Sequence, residues 1–142
     1  MQTNLDFTKT ILEAIKKNDD PFFDLATLQT EVCKDSNYIQ QLVFQIQIFF
    51  DEGIISRFDG RKVSSISDIG IAYNGLEPIP SFTGIRLRLT NKGLDYSNAL
   101  QNSDIFSQLK ERVKDAPINT ICNMGPKLLE SYAKKKFEEL IK

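Results

Sequence analysis

The chain has 142 residues, 41% of them hydrophobic and 26% charged, with a formal net charge of −1 and no histidine or tryptophan. That length and balance describe one domain able to bury a core without disulfide or metal staples, and they exclude a generally basic protein that coats nucleic acid. No apolar run approaches the roughly 18 residues needed to span a membrane, and the start MQTNLDFTKT lacks the basic and apolar regions of a secretory signal. Cys33 and Cys122 lie far apart without metal-ligand spacing, so two reduced thiols in a cytoplasmic protein are expected.

Residues 5–17 read as a first helix, with Phe7, Ile11, Ala14 and Ile15 on one face. Pro21 breaks the chain after it, and Phe22-Phe23 suits a short first strand or an apolar plug. Asp24 is a suitable N-cap for a helix ending near Val32 whose inner edge is Leu25, Leu28 and Val32. After the brief turn Cys33-Lys34-Asp35 comes the stretch that organises the rest, SNYIQQLVFQIQIFFDEG at residues 36–53. Ser36 is its candidate cap and Gly53 its stop. Ile39, Leu42, Val43, Ile46, Phe49 and Phe50 fall within an arc of about 120°, the width of a core-facing stripe. Two helices joined so briefly match a helix-turn-helix, with the second as the recognition helix.

The period then changes. Residues 54–58 are β-branched and short, and Asp59-Gly60 signals a two-residue hairpin returning through residues 63–66. Residues 74–83, with Asn74-Gly75 and Pro78-Ile79-Pro80, read as a loop. Residues 85–89 alternate as a strand, with Ile85, Leu87 and Leu89 inward and Arg86 and Arg88 outward. Thr90 caps a helix starting at Asn91. A further amphipathic run, residues 104–114, carries Ile105, Phe106, Leu109 and Val113, and Pro117 stops it. A last helix is expected from Pro126 to Ile141, with Leu129, Tyr132, Lys136 and Leu140 at helical spacing. The expected fold is α+β and mostly helical: a winged helix-turn-helix core with a small antiparallel hairpin wing over residues 1–93, and a helical extension over residues 94–142.

Leu89-Thr90-Asn91-Lys92-Gly93 resembles the Leu-Thr-x-x-Gly that follows a wing strand in bacterial winged-helix proteins. The fuller string RLTNKGLDYSNALQNSDIFSQLKERVKD, with the opening LDFTKTILEAI, resembles a bacterial and phage family catalogued as domain of unknown function 2513. The resemblance covers nearly the whole chain. It includes the aromatic at Tyr96, and departs from the family where a tryptophan is common near Phe106. It implies a winged-helix fold, and it carries no activity or site residues with it.

Nothing points to an enzyme. Histidine is absent, no phosphate-cradling or nucleophile-elbow motif occurs, and Asp19-Asp20, Asp51-Glu52 and Glu138-Glu139 read as solvated surface. Cys33 beside Lys34 reads as a small apolar residue before it reads as an activated thiol. No cofactor or metal is expected.

DNA is the more natural partner class, because charge is unevenly placed. Between Gly53 and Gly93 stand six cations (Arg57, Arg61, Lys62, Arg86, Arg88, Lys92) against three anions, whereas the remainder has twelve against sixteen. The five cations of the expected wing other than Lys92 would meet phosphate, while Asn37, Gln40 and Gln41 would read bases from the central helix. On the other side, that helix has no lysine or arginine. Phe44 and Ile48 occupy the middle of its outer face, where protein cover would suit them better than water. Residues 118–141, with Leu128 and Tyr132, are the expected cover, from the same chain or from a second copy. The alternative function is therefore protein–protein contact, as a homodimer or with another partner. Arginines on a strand can also serve only solubility or edge protection.

Overall fold

The computed structural model describes residues 3–112 and 115–141. The described residues are mostly helical, with six α-helices and two small two-stranded antiparallel sheets. Helix α1 (Leu5–Lys17) starts where the Asn4 side chain accepts from the Phe7 N–H at 3.1 Å. Asp24 caps α2 (Leu25–Val32) by accepting from the Thr27 N–H at 2.8 Å. Helix α3 (Ser36–Asp51) is capped by Asp35, which accepts from the Asn37 N–H at 2.9 Å. Ser36 is thus the first helical residue rather than the cap, because the aspartate one step earlier already reaches the open N–H groups.

The inner stripe of α3 is buried at Leu42, Val43, Ile46 and Phe49, while Ile39 and Phe50 are half-buried at its margins. Ile11, Leu12 and Ile15 of α1 and Leu25 and Leu28 of α2 join the same core. Gly53 ends the helix in the left-handed region, φ +72°, where a glycine carries no steric penalty.

Strand β1 (Ile55–Arg57) pairs antiparallel with a distant strand, in the register Ile55↔Leu89, Ser56↔Arg88 and Arg57↔Leu87. Its expected partner, residues 63–66, forms no strand. Asp59-Gly60 does turn the chain, but the return is intercepted by Asp68. Its carboxylate accepts from the N–H groups of Ser64 (3.0 Å) and Ser65 (3.2 Å), folding residues 66–69 into a 3₁₀ turn. The place beside β1 goes to the cleanly alternating 85–89 stretch. A short sheet of β2 (Ile71–Ala72) and β3 (Ser81–Phe82) follows the turn, so β3 lies inside the segment expected to be loop. The strand beside β1 is β4 (Leu87–Leu89). On its other edge Phe23 exchanges hydrogen bonds of 2.9 and 2.7 Å with Leu87. Of the two roles expected at Phe22-Phe23, Phe23 takes part of each: it is buried, and it forms a single isolated bridge rather than a full strand.

The junction after β4 is tightly packed. Thr90 caps α4 (Asn91–Gln101) by accepting from the Gly93 N–H at 3.0 Å, and its own N–H donates to the Ile54 carbonyl at 3.0 Å. Its hydroxyl, with one proton to give, lies 2.5 Å from the Gly53 carbonyl and 3.1 Å from that of Ile54. A Cβ on Gly93 would stand 2.1 Å from the Ile54 carbonyl oxygen. The Leu-Thr-x-x-Gly string thus has a physical meaning: threonine ties the start of α4 to the end of α3, and glycine lets them touch.

Helix α5 (Ser103–Arg112) buries Ile105 and Leu109; Val113 and Lys114, expected in it, lie outside the described residues. Helix α6 runs Ile118–Leu140, beginning eight residues before Pro126, which sits inside it. Proline cannot donate to the Cys122 carbonyl and its ring crowds that carbonyl, a cost of about 3 kcal/mol that the packing of this region must outweigh. Ile121, Cys122 and Gly125 hold that region against α4 and α5. No helix among the described residues is long and apolar enough to cross a membrane.

Candidate nucleic-acid interface

The residues singled out in the sequence fall on two surfaces of different character. The first is the outer face of α3. Asn37 is exposed at its first turn. Gln40 is not open: its amide donates to the Pro78 carbonyl at 2.7 Å, so the β2–β3 loop is tied to the helix. Gln41 is half-buried and lines, with Asn4, Phe7, Asp35, Asn37 and Tyr38, a shallow hollow of about 410 Å³. Phe44 and Ile48 are half-buried, neither open to water nor fully covered. The far part of α6 does not provide the expected cover, since residues 131–141 are all exposed, Tyr132 among them, and Leu128 packs half-buried against the core. Near α3, α6 meets Glu52, which accepts from Asn119 at 3.0 Å.

The second surface is the β1–β4 ribbon and the turn that follows β1. Arg57 is an internal clamp, its side chain only 15% exposed. Its Nε and Nη2 donate to the two Asp59 oxygens at 3.0 Å each, and Nη1 donates to the Asp68 carbonyl. Three of the five N–H donors of this guanidinium, expected to meet phosphate, are thus engaged within the chain. Held by Arg57 and by the Arg61 N–H, the Asp59 carboxyl titrates at about 2, below its ordinary 3.8. The Asp68 carboxyl is lowered too, chiefly by its bonds to Ser64.

The other wing cations face outward. Arg61 has an 80% exposed side chain, with Nε 3.7 Å from Asp59, and Lys62 is exposed beside it. Arg86 and Arg88 stand exposed, two residues apart and on one face of the strand. Lys92 is 3.9 Å from Glu52 and partly neutralised there. Since Arg57 and Asp59 cancel each other, the ribbon shows solvent four cations: Arg61, Lys62, Arg86 and Arg88.

Two features lay beyond sequence reading. Nothing in Gln40 announces its bond to Pro78, although the buried Pro80 shows that this proline cluster packs inward. The Arg57–Asp59 pair, two residues apart in a strand exit, was visible only as opposite charges.

The remaining reactive groups are quiet. Burial pushes the Cys122 thiol up to about 11, with the Glu52 charge adding to it, and burial followed by Asp35 raises Cys33. Neither thiol is held as thiolate at neutral pH. Tyr96 is fully buried beside Cys122 and makes no conventional hydrogen bond among the described residues; burial raises its phenol well above the usual range. No group of three His, Cys, Asp or Glu among the described residues is placed to hold a metal ion. Compared with protein-family models, curated proteins and solved structures, the chain finds no match.

Proposed function

We propose that the chain is a non-enzymatic winged-helix protein of bacterial or phage type, a cytoplasmic regulator that grips double-stranded DNA by its backbone through the β1–β4 ribbon. The element order supports the winged-helix reading: α1, the Phe23 bridge, α2, α3, then β1 and β4 with Phe23 and β1 on opposite edges of β4. The family resemblance of the Leu89–Gly93 string points the same way. The observation that carries the DNA reading is the set of four outward cations on the ribbon, set against a helix without cations whose Gln40 is tied to a loop.

Backbone contacts hold a duplex without naming its sequence, so binding should be strongly salt-dependent and weakly selective. Four phosphate contacts imply a log-affinity against log-salt slope of about −3.6 on a random duplex. Fluorescence anisotropy with labelled duplex across a salt series measures it. A variant with Arg61, Lys62, Arg86 and Arg88 all changed to glutamine should keep its circular dichroism and lose binding. Equal binding by that variant, or no salt-dependent binding by the natural chain, would refute the reading.

A further inference from the structure

One asparagine of the chain precedes a glycine, and the fold leaves that pair open. Asn74 and Gly75 stand exposed in the loop that joins β2 to β3. The Glu77 N–H donates to the Asn74 carbonyl at 3.3 Å, closing a turn in which Gly75 is the first corner and Leu76 the second. Gly75 takes φ +61°, and nothing lies within 4 Å of where its Cβ would stand. A positive φ at the first corner and not at the second matches a type II′ turn. The N–H of the first corner takes no part in the bond that closes such a turn. That of Gly75 has no acceptor among the described residues. The Asn74 amide is held only at long range, its Nδ2 donating to the Ser81 Oγ at 3.4 Å.

We infer that Asn74 is a site of covalent modification, where the amide is lost to attack by the backbone nitrogen of Gly75. That nitrogen gives its proton to hydroxide and bonds to the Asn74 Cγ. The Cγ–Nδ2 bond breaks, ammonia leaves with a proton taken from water, and a five-membered succinimide closes between the two residues. Water then opens the ring at either of its carbonyls. One opening gives aspartate, and the other gives isoaspartate, in which the main chain runs through the former side chain. No oxidant or reductant takes part, and the product carries one more negative charge at neutral pH, beside Glu77. Glycine matters because a side chain on the attacking residue would crowd its nitrogen. Every other asparagine lies in a helix or caps one, and none precedes glycine. Helical backbone holds the following nitrogen away from Cγ, so those amides are protected.

Mass spectrometry of the full chain, aged in mildly alkaline buffer, tests this independently of DNA. Trypsin cuts after Lys62 and Arg86 and so isolates residues 63–86, in which Asn74 is the one amide side chain. That fragment should gain the mass of an amide-to-acid change and separate into two forms of equal mass, aspartate and isoaspartate. Conversion should speed up as pH rises. A free synthetic peptide of residues 63–86 gives the reference rate, and the folded chain should convert within about tenfold of it. Asn74→Gln should keep the natural circular dichroism and show no acid gain in the fragment, because its ring would need six members. A folded chain that converts more slowly than that limit would overturn the inference, since the turn would then protect the pair. So would aspartate formed with no isoaspartate, which is direct hydrolysis without the Gly75 nitrogen.

Discussion

Helix α3 and the β1–β4 ribbon are neighbours along the chain and both turn a face outward, yet they carry opposite chemistry. The helix has a strong inner stripe and an outer face of amides, two half-buried apolar side chains and no cation. The ribbon anchors itself with two buried side chains, Ile55 of β1 and Leu87 of β4, and shows four outward cations. Both elements give one face to the core; they differ in what the other face carries, amides and apolar side chains on the helix and cations on the ribbon. In this chain the outward cations stand on the ribbon and none stands on the helix.

The strongest way to break that division is to attack the helix from inside. Phe49 is 1% exposed in the centre of the core, and Phe49→Ala should cost about 3–5 kcal/mol in a urea melt. An unchanged midpoint would mean α3 is not the structural centre. Next comes the joint between the two regions. Gly93→Ala adds a methyl 2.1 Å from a backbone oxygen that cannot swing aside, so it should cost about 3 kcal/mol, at the top of the overpacking range. By helix propensity alone the same change would stabilise by about 1 kcal/mol, so the sign of the result separates the two accounts.

A smaller effect sharpens the ribbon's side of the comparison. Asp59 both neutralises Arg57 and sits beside Arg61, 3.7 Å away. Asp59→Asn should release a guanidinium and remove an anion, tightening duplex binding several-fold at low salt and steepening the salt slope. The same residue has a pH signature. Its folded value of about 2 lies below the ordinary 3.8, so the stability it contributes is present above about pH 4 and lost as pH falls towards 2. Acid titration of Asp59→Asn should show a flatter decline over that window than the natural chain.

How much of this was legible depended on the range of the interactions. The limits of α1, α2 and the start of α4 could be read because Asp24, Thr90 and the apolar spacing act within one turn of the chain. The partner of β1 could not, since Leu87–Leu89 lies some thirty residues on and a local signal, Asp59-Gly60, pointed to the wrong return. Pro126 misled as a helix start because the lost bond and the ring's clash with the preceding turn are local costs, and α4 and α5 supply packing that outweighs them. At the candidate interface the charge bias was visible as composition. That Arg57 is engaged by Asp59 and Gln40 by Pro78 is tertiary information, which no local pattern carries.

The most direct test compares the two faces in one assay. Log affinity for a random duplex is plotted against log salt for the natural chain, for Arg86→Gln with Arg88→Gln, and for Asn37→Ala with Gln40→Ala. Loss of two ribbon contacts should make the slope shallower by about two units, and the helix variant should follow the natural line. A helix variant that loses affinity while the ribbon variant keeps both affinity and slope would contradict the account.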